Sequence, residues 1–159
     1  MTTKNSASDS FERGHDLWRK SKLREALDQF RIGAKGGDPS CILLVGYFYD
    51  AGLGVRKDRL KAMQWYRSAH RRGDSGGAAN NIGMILSRER NYAGAMRWFR
   101  RAISRGNSGA RLHIAEMLVR RGKKVQAIDE LTKLIAANDA VAETIEQANA
   151  ILRKLQERR

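Results

Sequence analysis

Small and large apolar residues alternate along this chain at helical spacing, and the alternation returns at a nearly fixed interval. Ala26, Phe30 and Gly33 set the pattern, followed by Ala62, Tyr66 and Ala69, then Ala95, Phe99 and Ala102, then Ala127, Leu131 and Leu134. Positions i, i+4 and i+7 share one face of a helix, so each set predicts a helix burying a stripe of small and large residues. The stripe runs small–large–small in the first three sets and ends on a second large residue, Leu134, in the fourth. The four leading alanines lie 36, 33 and 32 residues apart. A period in that range predicts a stack of two-helix units rather than one globular core.

A second landmark, Gly14, Gly46, Gly83 and Ala115, precedes those alanines by 12, 16, 12 and 12 residues. That distance accommodates a helix end, a tight turn and a new helix. The extra four residues of the second unit hold Gly52 and Gly54, which supply a loop. A glycine inside a helix costs about 1 kcal/mol relative to alanine. Finding three at one phase predicts close helix–helix approach there. Breaks are expected at Gly37-Asp38, Gly73-Asp74, Gly106-Asn107 and Asn138-Asp139, with Gly or Asn closing one helix and Asp or Asn capping the next. Pro39 suits the first turn of the helix that follows.

Nine helices are therefore predicted: 9–20, 23–36, 39–51, 58–72, 75–89, 92–105, 108–121, 124–137 and 140–157. They make an all-α protein of one domain over 9–159, with repeats at 9–37, 38–73, 74–106 and 107–138. Helix 140–157, with Ile145, Ala148, Ile151, Leu152 and Leu155 on one stripe, caps the open end. Residues 1–8 are expected to be a disordered tail.

The second unit carries a specific pattern. It reads Val45-Gly46, Tyr49, Gly52-x-Gly54-Val55, Asp58, Lys61-Ala62, Trp65-Tyr66, Ala69 and Gly73. This resembles the Sel1-like repeat, a relative of the tetratricopeptide repeat. Residues 75–107 match without the loop insertion, and the first and fourth units share only the small/large skeleton. The resemblance implies a right-handed α/α superhelix, or solenoid, that acts as an adaptor or scaffold for other proteins. Family members also include immunity proteins against secreted bacterial toxins.

Charge narrows the partner class. With 31 Lys+Arg against 17 Asp+Glu the formal net charge is +14, which favours an acidic protein, nucleic acid or an anionic surface. In such arrays the first helix of each unit lines a concave groove. The groove candidates are His15, Trp18 and Arg19, then Leu43, Tyr47 and Asp50, then Asn80, Met84, Ser87 and Arg88, and finally Leu112, Glu116, Val119 and Arg120. Arg19, Arg88 and Arg120 share one phase, so aligned guanidiniums beside aromatic and apolar anchors suit an acidic protein or peptide. A second basic surface on the outer helices comprises Arg67, Arg71, Arg97, Arg101 and Arg105, and opens the alternative of nucleic-acid or anionic-membrane association. Trp65 and Trp98, each beside a stripe aromatic, are expected to pack within the repeats.

Catalysis finds no support in the residues. His15, His70 and His113 fall in different units without metal-ligand spacing, Cys41 opens an apolar run, and no phosphate loop follows a strand. No cofactor is implied. The single cysteine excludes an internal disulfide, and the N-terminal residues show no apolar signal core, so a cytoplasmic location is expected. The reading is a non-enzymatic interaction module holding an acidic partner in a basic groove. An immunity protein that occludes a toxin is the sharper alternative, and the oligomeric state is left open.

Overall fold

The computed structural model describes residues 4–74, 76–137 and 139–157. Among these residues there are nine helices and no strands: α1 (Lys4–Arg19), α2 (Leu23–Lys35), α3 (Pro39–Ala51), α4 (Arg59–Arg71), α5 (Gly77–Arg88), α6 (Tyr92–Ser104), α7 (Ala110–Arg120), α8 (Lys124–Ala137) and α9 (Ala142–Glu157). The chain divides into two compact units, Met1–Asp74 with α1 to α4 and Ser75–Arg159 with α5 to α9. Each unit is built from two antiparallel helical hairpins, and α9 packs on α8 in the second.

The stripes form the hairpin cores. Ala26, Phe30, Ala62, Tyr66, Ala69, Ala95, Phe99, Ala102, Ala127, Leu131 and Leu134 are all buried. Each mid-helix glycine lies under the large side chain of its hairpin partner. A Cβ placed on Gly46 would stand 2.8 Å from the Tyr66 ring, and one on Gly83 would stand 2.6 Å from the Phe99 ring. A Cβ on Gly14 would run into the Phe30 ring. The glycines thus permit ring-over-backbone packing at native density, which a single methyl would prevent.

The loop of the second repeat uses its glycines for two different reasons. Gly52 ends α3 in the left-handed region (φ +78°) and donates its N–H to the Phe48 carbonyl. Gly54 is left-handed as well (φ +63°), and it also lies against the α1–α2 turn, where a Cβ would come within 2.7 Å of the backbone at Leu23 and Arg24. The Asp58 N–H then bonds the Tyr49 carbonyl at 2.9 Å, and the Asp58 carboxylate caps α4 through the Lys61 N–H at 2.9 Å.

Three expectations are corrected. Helix α1 starts at Lys4, so residues 4–8 are helical rather than a tail, because no glycine or proline stops the helix as it extends outward from Phe11. Residues 1–3 lie outside the described residues. Asp38 does cap α3, accepting from the Cys41 N–H at 2.9 Å. Asp74 and Asn107 do not cap the next helices, since α5 and α7 begin two to three residues later, after Gly76 and Gly109. Gly76 runs so close to the Ala102 carbonyl (2.6 Å for a Cβ) that the chain needs this residue before it can turn into α5. Asn138 lies outside the described residues.

The second unit has a continuous core in which Phe99, Leu112, Ile114, Met117, Leu118, Leu131, Leu134 and Ala148 are buried together. Ile145, Ile151, Leu152 and Leu155 of α9 pack half-buried against it, as the capping stripe predicts. In the first unit, Trp18, Phe30 and Phe48 meet edge-on at 5.1–6.4 Å between ring centroids. Trp65 lies half-buried beside Gly46, and Trp98 packs on the second core with the Arg101 guanidinium 4.7 Å from its ring centroid.

Candidate interaction surfaces

In the first unit, α1 and α3 bring His15, Trp18 and Tyr47 together. His15 stacks on Trp18 at 5.8 Å, Phe11 meets His15 edge-on at 4.6 Å, and Trp18 lies 5.7 Å from Tyr47. Trp18 also contacts Phe30 and Phe48, so it joins the core to a surface strip on which Tyr47 is 39% exposed. Leu43 and Asp50 are half-buried on the same helix as Tyr47. Arg19 is exposed and paired with Asp16 one turn earlier, a solvated ion pair of small energetic weight.

In the second unit, α5 and α7 open a cleft of about 170 Å³. Met84, Ser87 and Arg88 line it from α5, and His113, Glu116 and Arg120 from α7, over Phe99 and Met117. The His113 ring lies 5.9 Å from Phe99, and its Nδ1 is 3.5 Å from the Glu116 carboxylate. The hydrogen bond from His113, with the nearby positive charge of His113 and Arg120, holds the Glu116 carboxyl below the usual range despite partial burial. The cleft therefore combines an apolar floor, two guanidiniums and one ionised carboxylate. Among the groups lining it, Glu116 competes with any acidic ligand for Arg120.

Not every groove candidate reaches this cleft. Leu112 is buried in the core, with 4% exposure, because it shares the covered face of α7 with Ala115 and Leu118, whereas His113, Glu116 and Arg120 lie on the open face. Asn80 lies half-buried behind Met84, its amide 3.6 Å from the Met84 sulfur. Val119 faces a different shallow pocket, with Ile151 and Leu155 of α9. His113 was passed over by the reading of histidines as isolated. Its spacing to Glu116 and Arg120, three and seven residues, is the signal that places all three on one face.

The outer arginines Arg67, Arg71, Arg97, Arg101 and Arg105 are exposed at the ends and outer faces of α4 and α6. Cys41 is fully buried, and burial together with the Asp38 carboxylate pushes its thiol up to about 12. Among the described residues no group of three His, Cys, Asp or Glu side chains could hold a metal ion, and no helix is long and apolar enough to cross a membrane.

Helical hairpins with glycine-under-ring packing, a glycine-closed loop and an open face on the first helices define an all-α protein of helix-turn-helix repeats. The pattern of the Sel1 repeat matches residues 39–74 and 78–107. Two successive segments of the chain, about two fifths of its length, thus carry the Sel1 repeat pattern. Its fold is similar to that of a Sel1 repeat protein from Oxalobacter formigenes, with a TM-score of 0.73 at 22% identity. That likeness covers 93% of this chain and 62% of the other. It is also similar to c5321, a protective antigen of uropathogenic Escherichia coli strains that displays an SLR fold, with a TM-score of 0.72 at 22% identity over 94% of this chain and 34% of that one. The chain thus spans less than two thirds of the length of either structure. The comparison with curated proteins gave no match.

Proposed function

We propose that this protein is a non-enzymatic interaction module that holds an acidic segment of a partner protein in the cleft between α5 and α7. The observation that carries this reading is the pairing of Arg88 and Arg120 on two successive first helices above an apolar floor of Met84, Phe99 and Met117. Guanidiniums fork onto carboxylates, while a neighbouring apolar side chain of the partner fills the floor. The net charge of +14 adds long-range steering toward an acidic partner. Both helices are preformed, so little ordering cost falls on this side of the complex.

The test is capture of partners from nuclease-treated lysate of the source organism, comparing the native chain with Arg88→Glu/Arg120→Glu. The double variant should lose a stoichiometric protein partner while its helical circular dichroism is unchanged. Equal capture by both proteins would overturn the assignment of the cleft. An adaptor and an immunity protein would use the same surface, and a captured toxin would select the second role.

A further inference from the structure

We propose that the hairpin-turn edge of the first unit docks on anionic lipid headgroups, with Leu60 entering the boundary between headgroups and acyl chains. Two turns adjoin at this edge, because the loop 52–58 rests on the α1–α2 turn where Gly54 meets the backbone of Leu23 and Arg24. The first turn contributes Lys20, Lys22 and Arg24. The second contributes Arg56, Lys57, Arg59 and Lys61, around a shallow depression that Leu60 also lines. Only Glu25 and Asp58 oppose them within 20–25 and 56–61, and both are already engaged, with Lys22 at 3.4 Å and Lys61 at 3.6 Å. Among the described residues, Lys20, Arg24, Arg56 and Lys57 have no ion-pair partner. The α2–α3 turn, at the other end of these helices, carries Lys35 and Asp38, with Arg71 and Arg72 from the end of α4 beside it. What sets the 20–25 and 56–61 edge apart is that its cations surround an exposed aliphatic side chain.

Leu60 stands in the middle of these cations at 81% exposure, on the first turn of α4. It adds nothing to the core. A phosphate–sugar backbone offers an aliphatic side chain no complementary surface, whereas hydrocarbon just below a layer of headgroups does. Base stacking is not on offer either. The Tyr49 ring at this edge has the Lys61 ammonium 5.5 Å and the Arg31 guanidinium 5.9 Å from its centroid, and its hydroxyl accepts from Arg31 at 2.9 Å. An aliphatic tip ringed by cations at the start of a helix matches an anionic membrane surface. The residues involved are separate from those of the α5–α7 cleft, so neither proposal depends on the other.

The experiment is cosedimentation of the full chain with vesicles of phosphatidylcholine, with and without phosphatidylserine. Binding should require phosphatidylserine and weaken as salt rises. Arg56→Glu/Lys57→Glu should lower partitioning by at least about tenfold, since each cation at the surface contributes separately. Leu60→Ser, which leaves net charge unchanged, should lower it by roughly threefold to tenfold through loss of apolar insertion. Arg97→Glu/Arg100→Glu, with the same change in net charge on α6, should retain most of the binding. Equal binding by Leu60→Ser and the native chain would overturn the proposal, as would equal loss in the two charge-reversal variants. Absence of vesicle binding, with a DNA oligonucleotide bound in a manner sensitive to Arg56 and Lys57, would assign the edge to nucleic acid instead.

Discussion

The third and fourth hairpins, α5–α6 and α7–α8, solve one packing problem in two ways. In the third, Phe99 lies across Gly83 so closely that a Cβ would stand 2.6 Å from the ring. In the fourth, the same two phases hold Ala115 and Leu131, both fully buried. One side chain gains a methyl where its counterpart loses a ring, so the volume between the helices is shared out differently. The fourth hairpin adds a bond the third lacks at this phase: Arg111 of α7 donates to Glu130 of α8 at 2.7 Å, with side chains 25% and 19% exposed. The Sel1 pattern covers the third hairpin and stops at residue 107. A family pattern tracks residue identity, whereas the fold requires conserved volume, and the fourth hairpin keeps the second without the first.

The largest expected effect breaks the third hairpin. Gly83→Ala should destabilise the protein by about 1–3 kcal/mol through overpacking against Phe99, in spite of alanine's better helix propensity. Combining it with Phe99→Leu rebuilds the arrangement of the fourth hairpin. The double variant should be more stable than the sum of the single effects, read as a coupling energy in urea unfolding. Additive losses would show that the two positions do not exchange volume.

In the fourth hairpin, Glu130→Gln should cost about 1–2 kcal/mol, because Arg111 is left partly buried beside a neutral partner. The same denaturant titration measures it, and no change would demote the bond to a solvated pair.

Smaller still is the effect of Glu116 on α7. Its carboxyl titrates lower in the folded chain than in the unfolded one, so its ionised form stabilises the fold at pH above the ordinary carboxylate range. That contribution is lost as pH falls through the lowered folded value. Glu116→Gln should therefore be less stable than the native chain near neutrality and converge with it in acid, as followed by thermal unfolding across pH. The same substitution removes a negative charge near Arg120 in the cleft and should tighten binding of the acidic segment proposed to occupy it.

The least stability change is asked of Cys41 in the first unit. With the thiol buried and pushed up to about 12, little thiolate forms at neutral pH. A thiol reagent should label it only after denaturant is added. Fast labelling of the native chain would show that the first unit opens locally.

Periodicity alone made the helices legible. The small–large stripes placed α2, α4, α6 and α8, and the breaks at Gly37, Gly73 and Gly106 fall at left-handed glycines, φ +86° to +88°. These features are local: a stripe reports one face of one helix, and a helix end reports the backbone freedom of one residue. The reason for Gly14, Gly46 and Gly83 was also present in sequence as a phase shared with an aromatic partner, because the hairpin repeats that contact three times. What sequence could not supply was which side of a first helix stays open. Leu112 and Glu116 sit one turn apart on α7 at the same spacing, yet one is core and the other lines the cleft. That difference is made by where the neighbouring helices cover the face of α7 and where they leave it open. Likewise Gly54 reads as a turn residue and is left-handed as that requires, while a second constraint comes from the backbone of a hairpin some thirty residues earlier. The sequence by itself determined the hairpins, their period and their internal packing, since these depend on residues within one repeat. Only tertiary structure decided the cleft between α5 and α7 and the cationic edge around Leu60, since each is assembled from separate elements whose side chains meet only when the hairpins stack.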